Sequence, residues 1–235
     1  MIQKGIGWIY PRTCPICCRI LTDQQKLICK ECRELLKPIK EPRCKKCGRP
    51  VEAEREYCPD CEKGRIFCEG RGIFIYDEKM KRAVLRYKYG GIRENGEFFA
   101  RALCIYGRKE ILRWKPDLII PIPMHKRKLR QRGFNQAEDL AVRVGDAYGI
   151  PVAADAAEKV HATRAQKRLN AAGRKRNLKH AFRVNRPLNG SRILVIDDVF
   201  TTGSTVEALA ECLLEQGAEA VFFLTAAIGI KKDFS

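Results

Sequence analysis

The chain has 235 residues, 45% of them hydrophobic and 31% charged, and a formal net charge of +18 at pH 7. That length allows one sizeable core with a small accessory module, and no apolar run reaches the ~18 residues a helical membrane span requires. The opening stretch MIQKGIGWIYPRTCPIC holds no apolar segment followed by a small-residue cleavage site, so no export signal is read and a cytoplasmic location is expected.

The first predicted element is a cysteine module. Of 12 cysteines, eight form four C-x2-C pairs: Cys14 with Cys17, Cys29 with Cys32, Cys44 with Cys47, and Cys58 with Cys61. Two thiolates two residues apart sit on one tight turn, and two such turns complete a tetrahedral zinc site with Zn–S bonds of about 2.3 Å. Four turns predict two structural zincs. A disulfide framework is disfavoured because no export signal is present and a reducing compartment is expected. Sequential pairing (14, 17, 29, 32 and 44, 47, 58, 61) is preferred over a cross-braced one, which spacing alone leaves open. Cys18, Cys68, Cys104 and Cys212 fall outside the pattern and are read as small buried hydrophobes.

From Gly72 onward strand-like apolar runs alternate with helical periodicity, which predicts an α/β domain with a mostly parallel sheet. Taken in order, 72–77 is a strand, 78–89 and 95–114 are largely helical, and 117–123 is a buried strand. Residues 135–149 form a helix stopped by Gly149, and 150–160 a further strand region. Residues 191–199 make a central strand, 204–217 a helix stopped by Gly217, and 218–229 a last strand. The expected division is a zinc-ribbon module at 1–68 and an α/β domain at 69–235.

Charge is unevenly placed along this order. Residues 79–93, 118–137 and 159–183 contain no Asp or Glu and hold six, five and nine Lys or Arg, while the rest of the chain is close to neutral. Such concentration points to a polyanionic ligand, with phosphate the expected target, against the plainer reading of solvated basic faces.

The stretch ILVIDDVFTTGST at 193–205 carries the most chemistry. Asp197 and Asp198 fall where a strand leaves the sheet, and Thr201, Thr202, Gly203, Ser204 and Thr205 lead into the next helix. Backbone N–H groups at a helix start, joined by hydroxyls, form a nest for a phosphate dianion. Ionised carboxylates accept hydrogen bonds only and suit the cis hydroxyls of a ribose attached to that phosphate. A Walker B strand would read similarly, but the chain has no G-x-x-x-x-G-K-[ST] to accompany it.

These 13 residues resemble the phosphoribosyl pyrophosphate (PRPP) motif of type I phosphoribosyltransferases. Four sequential C-x2-C pairs, then IIPIPMHKRKLRQRGFNQAEDLA (119–141), TRAQKRLNAAGRKRNLKHAF (163–182) and the PRPP loop, resemble in their order the ComF family of late competence proteins and its GntX-like relatives. The resemblance implies a type I phosphoribosyltransferase-like parallel sheet flanked by helices. It implies Asp197 and Asp198 on the ribose hydroxyls and 201–205 around the 5′-phosphate. His125, Lys126, Arg127 and Lys128 become a pyrophosphate loop, and a basic flap carries Arg164, Lys167, Arg174 and Arg176.

Magnesium is expected to enter with PRPP, since placed cations stabilise the leaving pyrophosphate. No catalytic residue is assigned, and no segment for a nucleobase is evident. Arg86, Tyr87, Lys88 and Tyr89 interleave in a manner suited to single-stranded nucleic acid; an amphipathic helix with its tyrosines in the core stands equally beside that reading. The function implied is a competence protein that binds PRPP and handles incoming single-stranded DNA, with other competence proteins as further partners. A phosphoribosyltransferase acting on a small nucleophile and a PRPP-sensing regulator are the alternatives.

Overall fold

The apolar runs predicted as strands pair with one another in the computed structural model, which describes residues 11–160 and 181–230. Strands β1 (Glu69–Ile75), β6 (Ala220–Ile228), β5 (Arg192–Phe200) and β2 (Leu118–Pro121) lie side by side in that order, every pairing parallel. Two short helices, α1 (Lys30–Leu35) and α2 (Pro59–Glu62), belong to the cysteine module. Helices α3 (Glu78–Tyr89), α4 (Asn95–Tyr106) and α5 (Arg108–Trp114) connect β1 to β2, α6 (Lys126–Arg132) and α7 (Gln136–Tyr148) follow β2, and α8 (Ser204–Glu215) joins β5 to β6.

Helix boundaries follow local chemistry. Asp77 caps α3 by accepting the Met80 N–H at 2.8 Å, and Asn135 caps α7 by accepting that of Ala137 at 3.2 Å. The helical stretch predicted over 95–114 breaks at Gly107, which closes α4 on the Leu103 carbonyl and opens α5. The strand region predicted over 150–160 divides. Only Val152 bridges β2, through Ile119; the chain then turns, and β3 (Ala157–Lys159) pairs antiparallel with β4 (Phe182–Val184) away from the main sheet. An alanine-rich segment opened by a proline offers little side chain to pack on a pleated surface, so the strand stops after one bridge.

Side-chain alternation along β5 and β6 sorts the apolar core into two clusters. Leu194, Ile196, Phe222 and Leu224 join one, with residues of α3, α4, α5 and α7. Ile193, Val195, Val221 and Phe223 join the other, with Val206, Leu209 and Leu213 of α8. The cysteine module contributes to both. Cys14, Ile16, Leu21 and Cys32 enter the first cluster, and Ile39, Cys44, Cys47, Val51, Cys58 and Cys61 the second. The two cysteine sites therefore cap opposite faces of one sheet, a placement with no counterpart in their sequence spacing.

Candidate functional site

Strands β2 and β5 are neighbours, so their carboxyl ends leave the sheet together, the position where open α/β sheets place ligands. The Ile122 N–H still donates to the Ile196 carbonyl at 2.9 Å, and Asp197 and Asp198 come next on β5. A cavity of about 580 Å³ opens there. Asp197, Asp198, Thr201 and Thr205 line it, together with His125, Arg127 and Lys128. Carboxylates and hydroxyls thus share one opening with cations, although His125 and Asp197 stand 72 positions apart in the chain.

The two carboxylates are held differently. Asp198 is buried and ion-paired with Lys88 of α3. Burial by itself pushes the Asp198 carboxyl up, but the Lys88 ammonium overrides it and holds the group below the usual carboxylate range. Lys88 responds in kind: burial draws it down, and Asp198 raises it overall. Asp197 accepts the Asp198 N–H at 2.8 Å through Oδ1. Burial, followed by the neighbouring Asp198 charge, pushes the Asp197 carboxyl well up. Adjacent on one strand, the two carboxyls are thus shifted in opposite directions, Asp198 down and Asp197 up.

Below the hydroxyl loop sits an aromatic floor. Gly203 adopts φ +81°, and a Cβ there would lie 2.6 Å from the Phe200 ring, which stacks on Phe223 with centroids 4.4 Å apart. Glycine is required by conformation and by this contact together. The Thr202 and Ser204 hydroxyls lie 2.8 Å apart, and the Ser204 N–H reaches Thr202 Oγ1 at 3.4 Å. Gly203 supplies no side-chain cap to α8, so the helix start keeps backbone donors for other partners.

Several sequence-predicted residues occupy other surroundings than expected. Lys126, Arg127 and Lys128 form the first turn of α6 rather than an open loop. His125 caps that helix, its Nδ1 accepting the Arg127 N–H at 3.2 Å. A run without β-branched residues, ended by Gly133 at φ +82°, favours the helix. Lys126 is not among the residues lining the cavity, and neither are Thr202, Gly203 and Ser204. The flap residues Arg164, Lys167, Arg174 and Arg176 lie outside the described residues.

The interleaved nucleic-acid candidates on α3 face different ways. Tyr87 is fully buried and donates its hydroxyl hydrogen to Asp139 at 2.7 Å, so it is core rather than a stacking surface. Arg86 donates to the carbonyls of Pro15 and Ile16 at 2.7 and 2.6 Å, and Lys88 holds Asp198. Of the four, Tyr89 alone is exposed, its ring 4.4 Å from the Arg132 guanidinium. An i, i+1 alternation on a helix scatters residues around the axis, which defeats the shared face the candidates needed.

Three cations that line the cavity, Lys88, Arg132 and Lys159, lie outside the expected phosphate-binding residues. Lys88 was read as a nucleic-acid contact, and the acid-free segment that contains it was the available clue. Lys159, on β3, also lines the cavity; burial, then the Lys128 charge, lowers its pKa.

Both four-cysteine clusters assemble in the sequential pairing. All four sulfurs of each set lie within 4.8 Å of one another, with Cys17 Sγ 3.6 Å from Cys29 Sγ and Cys47 Sγ 3.7 Å from Cys58 Sγ. Tetrahedral sulfurs about 2.3 Å from one ion lie about 3.8 Å apart, so both sets fit zinc with every ligand position filled by protein. The leftover cysteines depart from expectation: Cys18 and Cys68 are exposed, and Cys104 and Cys212 are half-buried. Cys18 takes φ +65° at the turn after Cys17, which directs it away from the core.

The molecule is thus an α/β protein, a parallel sheet flanked by helices, carrying a double zinc ribbon. The double zinc ribbon domain family model matches residues 5–62. The DNA utilization protein YhgH of Salmonella typhimurium is 31% identical over 215 residues, covering 90% of this chain and 94% of its own. Competence protein ComFC of Bacillus subtilis is 30% identical over 207 residues, covering 82% and 80%. Among solved structures, the purine phosphoribosyltransferase of Pyrococcus horikoshii gives a TM-score of 0.35 at 20% identity, over 56% of this chain and 71% of that one, too loose a likeness to transfer residues. The chain belongs to the ComF family. No helix among the described residues is long and apolar enough to cross a membrane.

Proposed function

We propose that this protein binds PRPP with magnesium in the cavity at the ends of β2 and β5, and handles single-stranded DNA in natural transformation. The observation that carries the first half is the gathering of two kinds of group around one opening. Asp197, Asp198, Thr201 and Thr205 line it, and so do Arg127 and Lys128. In this reading the carboxylates accept the ribose hydroxyls, the loop and the start of α8 hold the 5′-phosphate, and the cations of α6 balance the diphosphate. Magnesium supplies further charge neutralisation when it enters with the ligand.

Kinship with ComFC and YhgH supports the second half, as do the acid-free basic segments 79–93 and 118–137, whose residues Lys88, Arg127 and Lys128 reach the same cavity. Residues 1–68 serve as a zinc-bound staple for residues 69–235.

Calorimetry of zinc-loaded protein with PRPP and magnesium tests the site. Wild-type heat should vanish in Asp197→Ala with Asp198→Ala while zinc content stays unchanged; retained affinity in that variant overturns the assignment. Oligonucleotide binding should weaken with salt at a log–log slope of about −0.7 per phosphate contact, and a flat salt dependence contradicts the DNA half.

A further inference from the structure

The two cysteine sites repeat one local plan, and a single arginine departs from it. At the first site the Cys14 N–H donates to the Arg19 carbonyl at 2.8 Å; at the second, the Cys44 N–H donates to that of Arg49 at 2.7 Å. Each arginine then reaches the acidic residue that precedes the last cysteine of its set. Arg19 Nη1 lies 3.4 Å from Glu31, and Arg49 Nη1 lies 2.9 Å from Asp60. Their exposure separates them: the Arg19 side chain is 61% exposed, that of Arg49 only 5%.

A guanidinium taken out of water needs partners in fixed directions. Nη1 of Arg49 also points at Cys58 Sγ, 3.9 Å away, and Nη2 donates to the Thr201 carbonyl at 2.6 Å. The same guanidinium lies 5.9 Å from the Phe200 ring centroid, beneath the loop. One planar group therefore joins a zinc ligand to the backbone of a residue that lines the cavity. Nearby, Arg65 donates to the Thr202 carbonyl at 2.9 Å and pairs with Glu207 of α8 at 3.2 Å.

We propose that Arg49 is a positioning residue that couples the second zinc site to the hydroxyl loop, so that zinc at Cys44, Cys47, Cys58 and Cys61 and an anion in the cavity favour one another. The anion half rests on the reading of the cavity given above; the link between zinc and loop does not. The guanidinium takes its orientation from the Cys58 thiolate and Asp60, and transmits it to Thr201. Loss of the metal frees one end and slackens the other. Thermodynamic linkage makes the effect mutual: an anion that orders the loop tightens zinc binding at this site and not at the first, which we read as slower zinc release.

The test uses the full zinc-loaded chain, with hydrogen exchange read by mass spectrometry over residues 199–208 and zinc transfer to a chromophoric chelator. R49Q should exchange in the loop about tenfold faster than wild type, keep the protection of β6, and lose one of its two zincs about tenfold faster, the scale on which groups behind metal ligands act. R65Q should quicken loop exchange but speed zinc release at the second site less than R49Q does, because its partners are Thr202 and Glu207 rather than a zinc ligand. Unchanged loop exchange in folded R49Q overturns the proposal, as does a zinc release rate equal to wild type. Should R49Q not fold, R49K decides by the same two criteria, since an ammonium cannot span both ends. PRPP with magnesium should bind R49Q about tenfold more weakly. If wild type gives no PRPP heat while the loop and zinc results hold, the functional reading falls and the coupling stands.

Discussion

The two zinc ribbons share spacing, turn geometry and an arginine–carboxylate pair, yet the sheet treats them unequally. The first presents Cys17 to solvent and leaves Arg19 and Glu31 in water, where an ion pair is screened and weak. The second has all four cysteines buried in the cluster that holds Phe200 and Phe223, and its arginine reaches the candidate site. A repeated local motif therefore acquires distinct roles from the surface it lands on. The first ribbon reaches the cavity less directly: Arg86 of α3 grips Pro15 and Ile16, and Lys88, two residues on, grips Asp198.

The largest effect that would sharpen this contrast is loss of the metal sites themselves. Structural zinc in small modules contributes on the order of 10 kcal/mol. Cys44→Ser with Cys47→Ser should abolish the cooperative thermal transition, whereas Cys14→Ser with Cys17→Ser should lower Tm and keep a cooperative unfolding of the sheet; equal loss in both would dissolve the distinction. Next comes Lys88→Met, which strips Asp198 of its partner and should cost about 3 kcal/mol in denaturant unfolding near pH 7.

The pH dependence of that deficit has a defined sign. Asp198 is depressed in the folded state, so its contribution is present above its unfolded pKa of about 3.9 and is lost as pH falls through the folded value. Lys88 is raised, so its contribution is present below about 10.4 and is lost as pH rises through its folded value. The Lys88→Met deficit should accordingly shrink at both extremes. Asp197 is raised and works in the opposite direction, costing stability as pH climbs through its folded pKa.

A smaller change tests the first ribbon's anchor. Arg86→Gln removes the guanidinium from two carbonyls and should cost about 2 kcal/mol, with faster amide exchange in residues 11–21 but not in the second ribbon. The smallest effects come from the turn that the two ribbons build with different residues. Cys18 sits at φ +65° where the second ribbon has Gly48 at φ +74°. Cys18→Gly should stabilise by about 1 kcal/mol as left-handed strain is relieved. Gly48→Cys should destabilise, since a Cβ there lies 2.8 Å from the Gly70 carbonyl oxygen.

Much of this was legible along the chain. Helix α3 spans the residues its periodicity predicts, β5 runs through the ILVIDD stretch, and the C-x2-C pairs assemble as their order implies. Local signals suffice there because capping, periodicity and metal ligation act over a few residues. Tyr87 shows where they stop: a tyrosine between cationic residues reads equally as a stacking surface and as core until Asp139, 52 positions away, receives its hydroxyl. Arg49 carried a clue of its own, since it stands five residues after Cys44 as Arg19 stands five after Cys14. Nothing in that register tells which arginine meets Thr201.

The amino-acid order alone determined two tetrathiolate clusters, an alternation of strands and helices, and an acidic strand end running into a hydroxyl-rich helix start, because each is set by neighbours within a turn or two. Tertiary structure decided the rest: which sheet face each ribbon covers, that Lys88 neutralises Asp198, and that α6 shares a cavity with the end of β5. Those outcomes depend on burial, and burial belongs to the packed sheet rather than to any segment of it.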